Sequence, residues 1–239
     1  MAEKKTEEED IRVPSGIKEL DKIIEGGFEK NSAVLVVGGG GSGKTIMGAQ
    51  FLMEGILNND ETGIYISFEE SKEKFYRHMG KFGWNLKELE EKGRFVFVTF
   101  SPSEMVEIVK SEGKVIEKDI KEVNAKRIVI DSLSAYNVMF SKESEQREML
   151  VSLFRMIARW DCTTLVIAEE DQYIHKPHSS IMGFMADAIV KLYTLVTEKN
   201  VMVRAMQVFK MRGTKHSFKV FPIDITKKGI VAYTGSNIQ

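Results

Sequence analysis

Eight consecutive residues constrain this chain more than any other stretch: Gly38-Gly39-Gly40-Gly41-Ser42-Gly43-Lys44-Thr45. They fit the spacing G-x-x-x-x-G-K-[ST], the Walker A or P-loop pattern. Glycines permit backbone angles that a Cβ forbids and let the chain approach a ligand closely. Successive N–H groups can then curl around a phosphate, and a helix starting near Lys44 adds its positive end. Lys44 is expected on the β- and γ-phosphates and the Thr45 hydroxyl on Mg²⁺. The flanks agree. Ala33-Val34-Leu35-Val36-Val37 is a continuous apolar run suited to a buried parallel strand, and Ala49, Leu52, Met53 and Ile56 recur at helical spacing. A flexible Gly-rich turn ending by chance in Lys-Thr would lack both flanks.

Around this loop the chain alternates. Gly63 to Phe68, Arg94 to Val98, Arg127 to Asp131 and Thr163 to Ala168 read as strands. Helices are expected from Ser71 through Phe75 and Met79, and from Ser103 to Asn124 with a break at Gly113. A third carries Leu150, Leu153, Phe154, Ile157 and Ala158 on one face. Ser15 is expected to cap a short helix that turns Ile17, Leu20 and Ile23-Ile24 inward before Gly26-Gly27 ends it. Strand–helix alternation predicts an α/β fold with a mostly parallel, doubly wound sheet. The last third changes character: Ala188 to Val196, Val201 to Lys210, Ser217 to Ile225 and Gly229 to Tyr233 read as antiparallel strands extending one edge. Residues 1–10, with the acidic run Glu7-Glu8-Glu9-Asp10, read as a flexible tail, and 11–239 as a single domain.

Composition excludes several classes. With 239 residues and a net charge of −1, no global basic field recruits nucleic acid, although a local patch would not register in the total. The lone Cys162 rules out an intrachain disulfide and a Cys-based zinc site. No stretch is long and apolar enough for membrane insertion and the charged N-terminus is unlike a signal peptide, so the expected location is cytoplasmic.

Three further places can carry chemistry. Asp131 closes the strand Ile128-Val129-Ile130-Asp131 in the manner of a Walker B carboxylate, which holds Mg²⁺ and faces Thr45. Glu69-Glu70 ends another strand. It reads equally as a water-activating pair and as an acidic first turn favoured by the helix dipole. Lys210-Met211-Arg212-Gly213-Thr214-Lys215-His216 is a basic cluster after a strand, either a solvated turn or a cationic finger for phosphate.

At these residues the sequence resembles the KaiC-type branch of the RecA-superfamily ATPases, especially its single-domain archaeal members. The likeness runs from about Val13 to Tyr233. It includes Ser15-Gly16-Ile17, Phe68-Glu69-Glu70-Ser71, Phe82-Gly83-Trp84, Ser101-Pro102, Ala125 to Leu133, and Lys210 to Thr214 with His216. It also takes in Ile225-Thr226 with Gly229-Ile230. The resemblance implies a RecA-like P-loop NTPase fold and catalytic Glu69 and Glu70 beside Lys44. It implies Lys210, Arg212 and His216 reaching the nucleotide of the adjacent subunit in a ring, usually a hexamer, with Thr214 and Thr226 beside the nucleotide. There are departures. KaiC itself has two such domains and a phosphorylated C-terminal segment, and one domain here speaks against clock-type autophosphorylation. Ala168-Glu169-Glu170-Asp171-Gln172 stands where many relatives carry Thr or Ser hydroxyls. An acidic run there repels a γ-phosphate unless a cation offsets it. The loop 171–183, with His175, His178 and Ser179-Ser180, is polar and barely basic.

The expected function is a Mg²⁺-dependent ATPase acting as a ring-forming switch upon a protein partner the sequence does not name. Two alternatives are an ATP-loaded scaffold that hydrolyses little, as in archaellum-motor relatives, and a RecA/RadA paralogue on single-stranded DNA. Glu69-Glu70 favours hydrolysis. Near-neutral charge without aromatic–basic interleaving argues against DNA.

Overall fold

A nine-stranded sheet separates two apolar layers in a computed structural model that describes residues 11–137, 139–170, 181–197 and 200–236. The strands are β1 (Arg12–Val13), β2 (Phe28–Glu29), β3 (Ala33–Gly38), β4 (Thr62–Ser67), β5 (Phe95–Thr99) and β6 (Ala125–Asp131). They continue with β7 (Thr163–Glu169), β8 (Ala188–Val196), β9 (Met202–Met211), β10 (Val220–Thr226) and β11 (Gly229–Ala232). The helices are α1 (Lys18–Ile23), α2 (Lys44–Asn58), α3 (Lys72–Met79), α4 (Leu86–Glu91) and α5 (Pro102–Lys110). After them come α6 (Lys114–Glu122), α7 (Leu133–Asn137), α8 (Glu143–Ile157) and α9 (Ile181–Met185). The large sheet runs β11-β10-β9-β8-β3-β7-β6-β4-β5, and β1 and β2 form a separate antiparallel pair that the sequence did not announce.

Every residue of β3 is buried, because helices cover both of its faces. Val34 and Val36 pack with α1 to α4, while Ala33, Leu35 and Val37 pack with α5, α6 and α8. In α8 the buried set is Leu150, Leu153, Phe154, Met156 and Ile157. Each such side chain contributes about 1.5–3 kcal/mol when removed from water. Gly113 separates α5 from α6 with φ 67°, as its position in the sequence suggests.

Two expectations change. Residues 188–196 are not antiparallel to the core: β8 pairs parallel with β3, and the antiparallel pairings of the large sheet are β8–β9, β9–β10 and β10–β11, so β10 again runs in the direction of the core strands. Paired in parallel, β8 enters the sheet from the same edge as β3. Ser15 does not cap α1. Ile17 holds that position, and the Ser15 hydroxyl accepts from the Ile17 amide at 3.1 Å while the Ser15 amide donates to Asp21 Oδ1 at 2.8 Å.

The turns entering β3, β4, β6 and β7 use Asn31, Asp60, Asn124 and Asp161, all at positive φ between 49° and 62°. Asn and Asp tolerate that left-handed region better than other side chains. These turns close the N-terminal edge of the sheet. The opposite edge, where β3, β4, β6 and β7 end, is the one open α/β sheets use for ligands. Among the described residues no helix is long and apolar enough to cross a membrane.

Candidate functional site

The site begins where β3 runs out. Gly38 lies against β8 so closely that a Cβ there would collide with the Leu192 carbonyl. Gly43 caps α2 with φ 106° and ψ 10°, a conformation suited to glycine. Between them, Gly39 to Ser42 turn the backbone toward the start of α2 at Lys44. The Lys44 ammonium donates to the carbonyls of Gly38 (2.8 Å) and Gly39 (2.9 Å). Burial pushes its pKa down, opposed first by Glu169, then Asp131 and Glu69. A desolvated ammonium attracts phosphate strongly, while the three carboxylates around it oppose that anion unless a cation offsets them.

Asp131 ends β6, and its Oδ2 accepts from Thr45 Oγ1 at 2.8 Å and from Tyr65 OH at 2.5 Å. Burial raises the pKa of this carboxyl, and the two hydroxyl bonds act against that rise. The Walker A threonine and Walker B aspartate expected from sequence therefore meet. Tyr65, fully buried on β4 and stacked on Phe97, fixes the carboxylate from behind. A hydroxyl and a carboxylate are hard oxygen donors of the kind Mg²⁺ takes. Among the described residues no group of three or more His, Cys, Asp or Glu could hold a metal alone. A cation at Thr45 and Asp131 would complete its shell with phosphate and water, which fits Mg²⁺.

The two glutamates after β4 diverge. Glu69 Oε1 accepts from Ser132 Oγ at 2.8 Å, which turns it toward the end of β6. Glu70 instead faces α3, with His78 Nδ1 at 2.8 Å and Lys74 Nζ at 3.9 Å. The pair thus divides: Glu69 lies beside the Lys44–Asp131 cluster, and Glu70 lies just before Ser71, the N-cap of α3, with Glu73 as the acidic residue of that helix's first turn. At the end of β7, Glu169 is exposed, its amide donating to Ser134 Oγ at 2.7 Å. Glu170 has the offsetting cation: Lys191 Nζ, on a buried side chain of β8, lies 3.7 Å away and 4.4 Å above the Phe209 ring. Asp171, Gln172, His175, His178, Ser179 and Ser180 lie outside the described residues.

The C-terminal signature splits between two edges. Thr226 ends β10 at the same edge as the P-loop, where its neighbour Ile225 and Ile230 of β11 would meet a Cβ on Gly43 at 3.5 Å. Lys210, Arg212, Thr214 and His216 sit at the opposite edge. Met211 pairs with Ala188 and Ala188 with Val34, whereas Gly38 pairs with Leu192, so the end of β9 faces away from this chain's own P-loop. Thr214 there accepts from Arg12 Nη1 at 2.7 Å, and His216 Nδ1 lies 3.1 Å from the Thr214 carbonyl.

Four contributors escaped the sequence reading. Tyr65 and Lys191 look like ordinary strand residues until register places them. Arg204 of β9 donates from Nε to the Gly41 carbonyl at 3.0 Å, a contact across 163 residues with no local signal. Gln50 of α2 ties Gly16 (2.6 Å) and Ile230 (3.1 Å and 2.6 Å) to the P-loop helix.

Comparison with known proteins places this geometry. A family model described as "ATPase: KaiC" matches residues 13–237. A UPF0273 protein of Pyrococcus horikoshii is 33% identical over 93% of this chain and 94% of its own length. A UPF0273 protein of Thermotoga maritima is 32% identical, covering 93% and 96%. Among solved structures, the crystal structure of a KaiC-like protein from Pyrococcus horikoshii superposes with a TM-score of 0.83 and 32% identity. That match covers 94% of this chain and all of the other.

Proposed function

This chain belongs to the KaiC family of ATPases, and from that premise we propose that it hydrolyses ATP with Mg²⁺ as a ring-forming switch, in the simplest case a hexamer. The observation that carries the reading is the Thr45–Asp131 hydrogen bond of 2.8 Å beside buried Lys44. It ties the end of β6 to the first turn of the P-loop helix. Lys44 exchanges the Gly38 and Gly39 carbonyls for phosphate oxygens. Tyr65 and Thr45 keep Asp131 oriented toward the cation position. Mg²⁺ held by Thr45 and Asp131 would neutralise charge developing on the phosphate. Glu69, turned inward by Ser132, orients and deprotonates the attacking water, while Glu70 is held by His78. Placement of Arg212 at the far edge of the sheet supports its use in trans, since a head-to-tail interface brings one subunit's far edge to the next subunit's P-loop.

Turnover and ATP affinity of Glu69→Gln and Glu70→Gln, made separately, test this. Glu69→Gln is expected to bind ATP normally and turn over about 10²-fold more slowly, the usual scale for a lost general base. Glu70→Gln should have the smaller effect. Wild-type turnover in Glu69→Gln would remove the catalytic assignment. Negligible turnover in the wild type itself, with tight ATP binding, would leave an ATP-loaded scaffold.

A further inference from the structure

We propose that Asp187 is the positioning residue for Arg212, aiming that guanidinium from one subunit at the nucleotide of the next; the inference rests on the trans role given to Arg212 above. The two cations at the end of β9 are not equivalent. Lys210 Nζ donates to the carbonyls of Gly183 (3.0 Å), Phe184 (3.5 Å) and Ala186 (2.6 Å). An ammonium has three N–H groups, so Lys210 spends all of them capping the carbonyl end of α9. Burial also presses its pKa downward. Lys210 is therefore a pin for the α9 turn before it is a reagent.

Arg212 is placed differently. Its side chain is 55% exposed, with Nη1 donating to Asp187 Oδ1 at 3.1 Å and Nη2 to the Phe184 carbonyl at 2.8 Å. Those bonds use two of the five guanidinium donors and leave the others for phosphate oxygens. Two anchors on a planar fork fix its orientation, which a single contact would not.

Asp187 is itself immobilised. Its Oδ2 accepts from the Ala33 amide at 3.0 Å, its own amide donates to the Ala33 carbonyl at 2.9 Å, and its carbonyl accepts from the Arg212 amide at 2.9 Å. Ala33 is the first residue of β3, and that strand ends in Gly38 of the P-loop. One carboxylate thus joins the cation offered to a neighbour to the strand carrying the subunit's own phosphate loop. A side chain that served only to start β8 would need Oδ2 alone. The charge on Oδ1 has Arg212 as its match.

The test is Asp187→Asn in the full chain assembled under ATP and Mg²⁺. Asparagine keeps an acceptor for Ala33 but removes the charge from Arg212. The expected result is a fall in kcat of about tenfold, the scale of a charge-assisted hydrogen bond, with KM for ATP and the melting temperature unchanged. Mixing it with the Glu69→Gln, Glu70→Gln variant should raise activity above the average of the two, because mixed interfaces pair an intact Arg212 with intact carboxylates. On an Arg212→Ala background, Asp187→Asn should cost no further kcat, since it acts through that side chain. This last comparison holds even if Asp187→Asn lowers the melting temperature. Full kcat in Asp187→Asn, or an additive loss on the Arg212→Ala background, overturns the inference while leaving Arg212 in place. Wild-type kcat in Arg212→Ala removes the trans reading and the inference with it.

Discussion

Replacing Arg127 with Met should destabilise the protein by about 3 kcal/mol without touching nucleotide chemistry. Arg127 opens the buried part of β6, and its side chain is 1% exposed. Nε pairs with Glu61, Nη1 donates to the carbonyls of Pro14 (2.6 Å) and Phe51 (2.9 Å), and the guanidinium lies 4.6 Å over the Phe51 ring. One side chain thereby joins the N-terminal segment, α2, the turn into β4 and β6. Breaking a buried pair by removing one partner costs about 3–5 kcal/mol. Two features pull this case to the low end. Glu61 remains 24% exposed and can regain water, and Nη2 is buried without a hydrogen-bond partner, a desolvation cost that Met does not carry. For a domain of this size about 3 kcal/mol corresponds to a fall in melting temperature of roughly 6–12 °C. Calorimetry of wild type, Arg127→Met, Glu61→Gln and the double variant gives the coupling directly. The double variant should recover part of the loss, because no uncompensated carboxylate is left. Gly55→Ala offers an independent route, since a Cβ there would collide with Arg127 Nε. A change below about 1 kcal/mol in Arg127→Met would refute the reasoning and show desolvation cancelling the pair's attraction.

Lys44→Ala should lose most ATP affinity while keeping its fold, because the hydrogen bonds of Lys44 go to the loop's own carbonyls; unchanged affinity by calorimetry would contradict the P-loop assignment. Asp21→Asn should alter the pH dependence of stability. Burial, the largest cause, raises the Asp21 pKa from 3.8 to about 6, a rise worth up to roughly 3 kcal/mol. The folded state holds this proton more tightly than the unfolded chain, so the group's contribution falls as pH rises from about 4 to about 6. Asn can still accept from the Ser15 amide, so the variant should be the more stable near pH 7 and lose that slope; matching melting profiles at pH 4 and pH 7 would contradict this. Tyr65→Phe should weaken Mg²⁺-supported turnover by about tenfold, the value of a hydrogen bond to a charged group, with fold retained by the ring contacts to Phe75 and Phe97. Equal Mg²⁺ dependence in the variant would show that Thr45 alone orients Asp131.

The central strand, the P-loop, its helix and the Walker B strand were legible in the chain because each is encoded locally. A continuous apolar run, a glycine spacing and a 3.6-residue periodicity need no distant partner to be recognised. Thr45 and Asp131 could be matched for the same reason, since each closes or opens an element whose direction is set by the α/β alternation. The direction of β8 was not legible. Its residues branch like those of any strand, and only its parallel pairing with β3 decides which edge it enters from. Glu69 and Glu70 are equivalent as letters, and packing separates them: Ser132 just past the adjoining strand holds one, and His78 in the last turn of α3 holds the other. Lys191 and Arg204 became part of the site through strand register, which places a buried lysine beside Glu170 and an arginine on the Gly41 carbonyl. Local composition can specify where a strand or a phosphate loop forms. Which charges end up facing one another across more than a hundred residues depends on the order and direction of strands in the sheet, and that is a property of the folded chain.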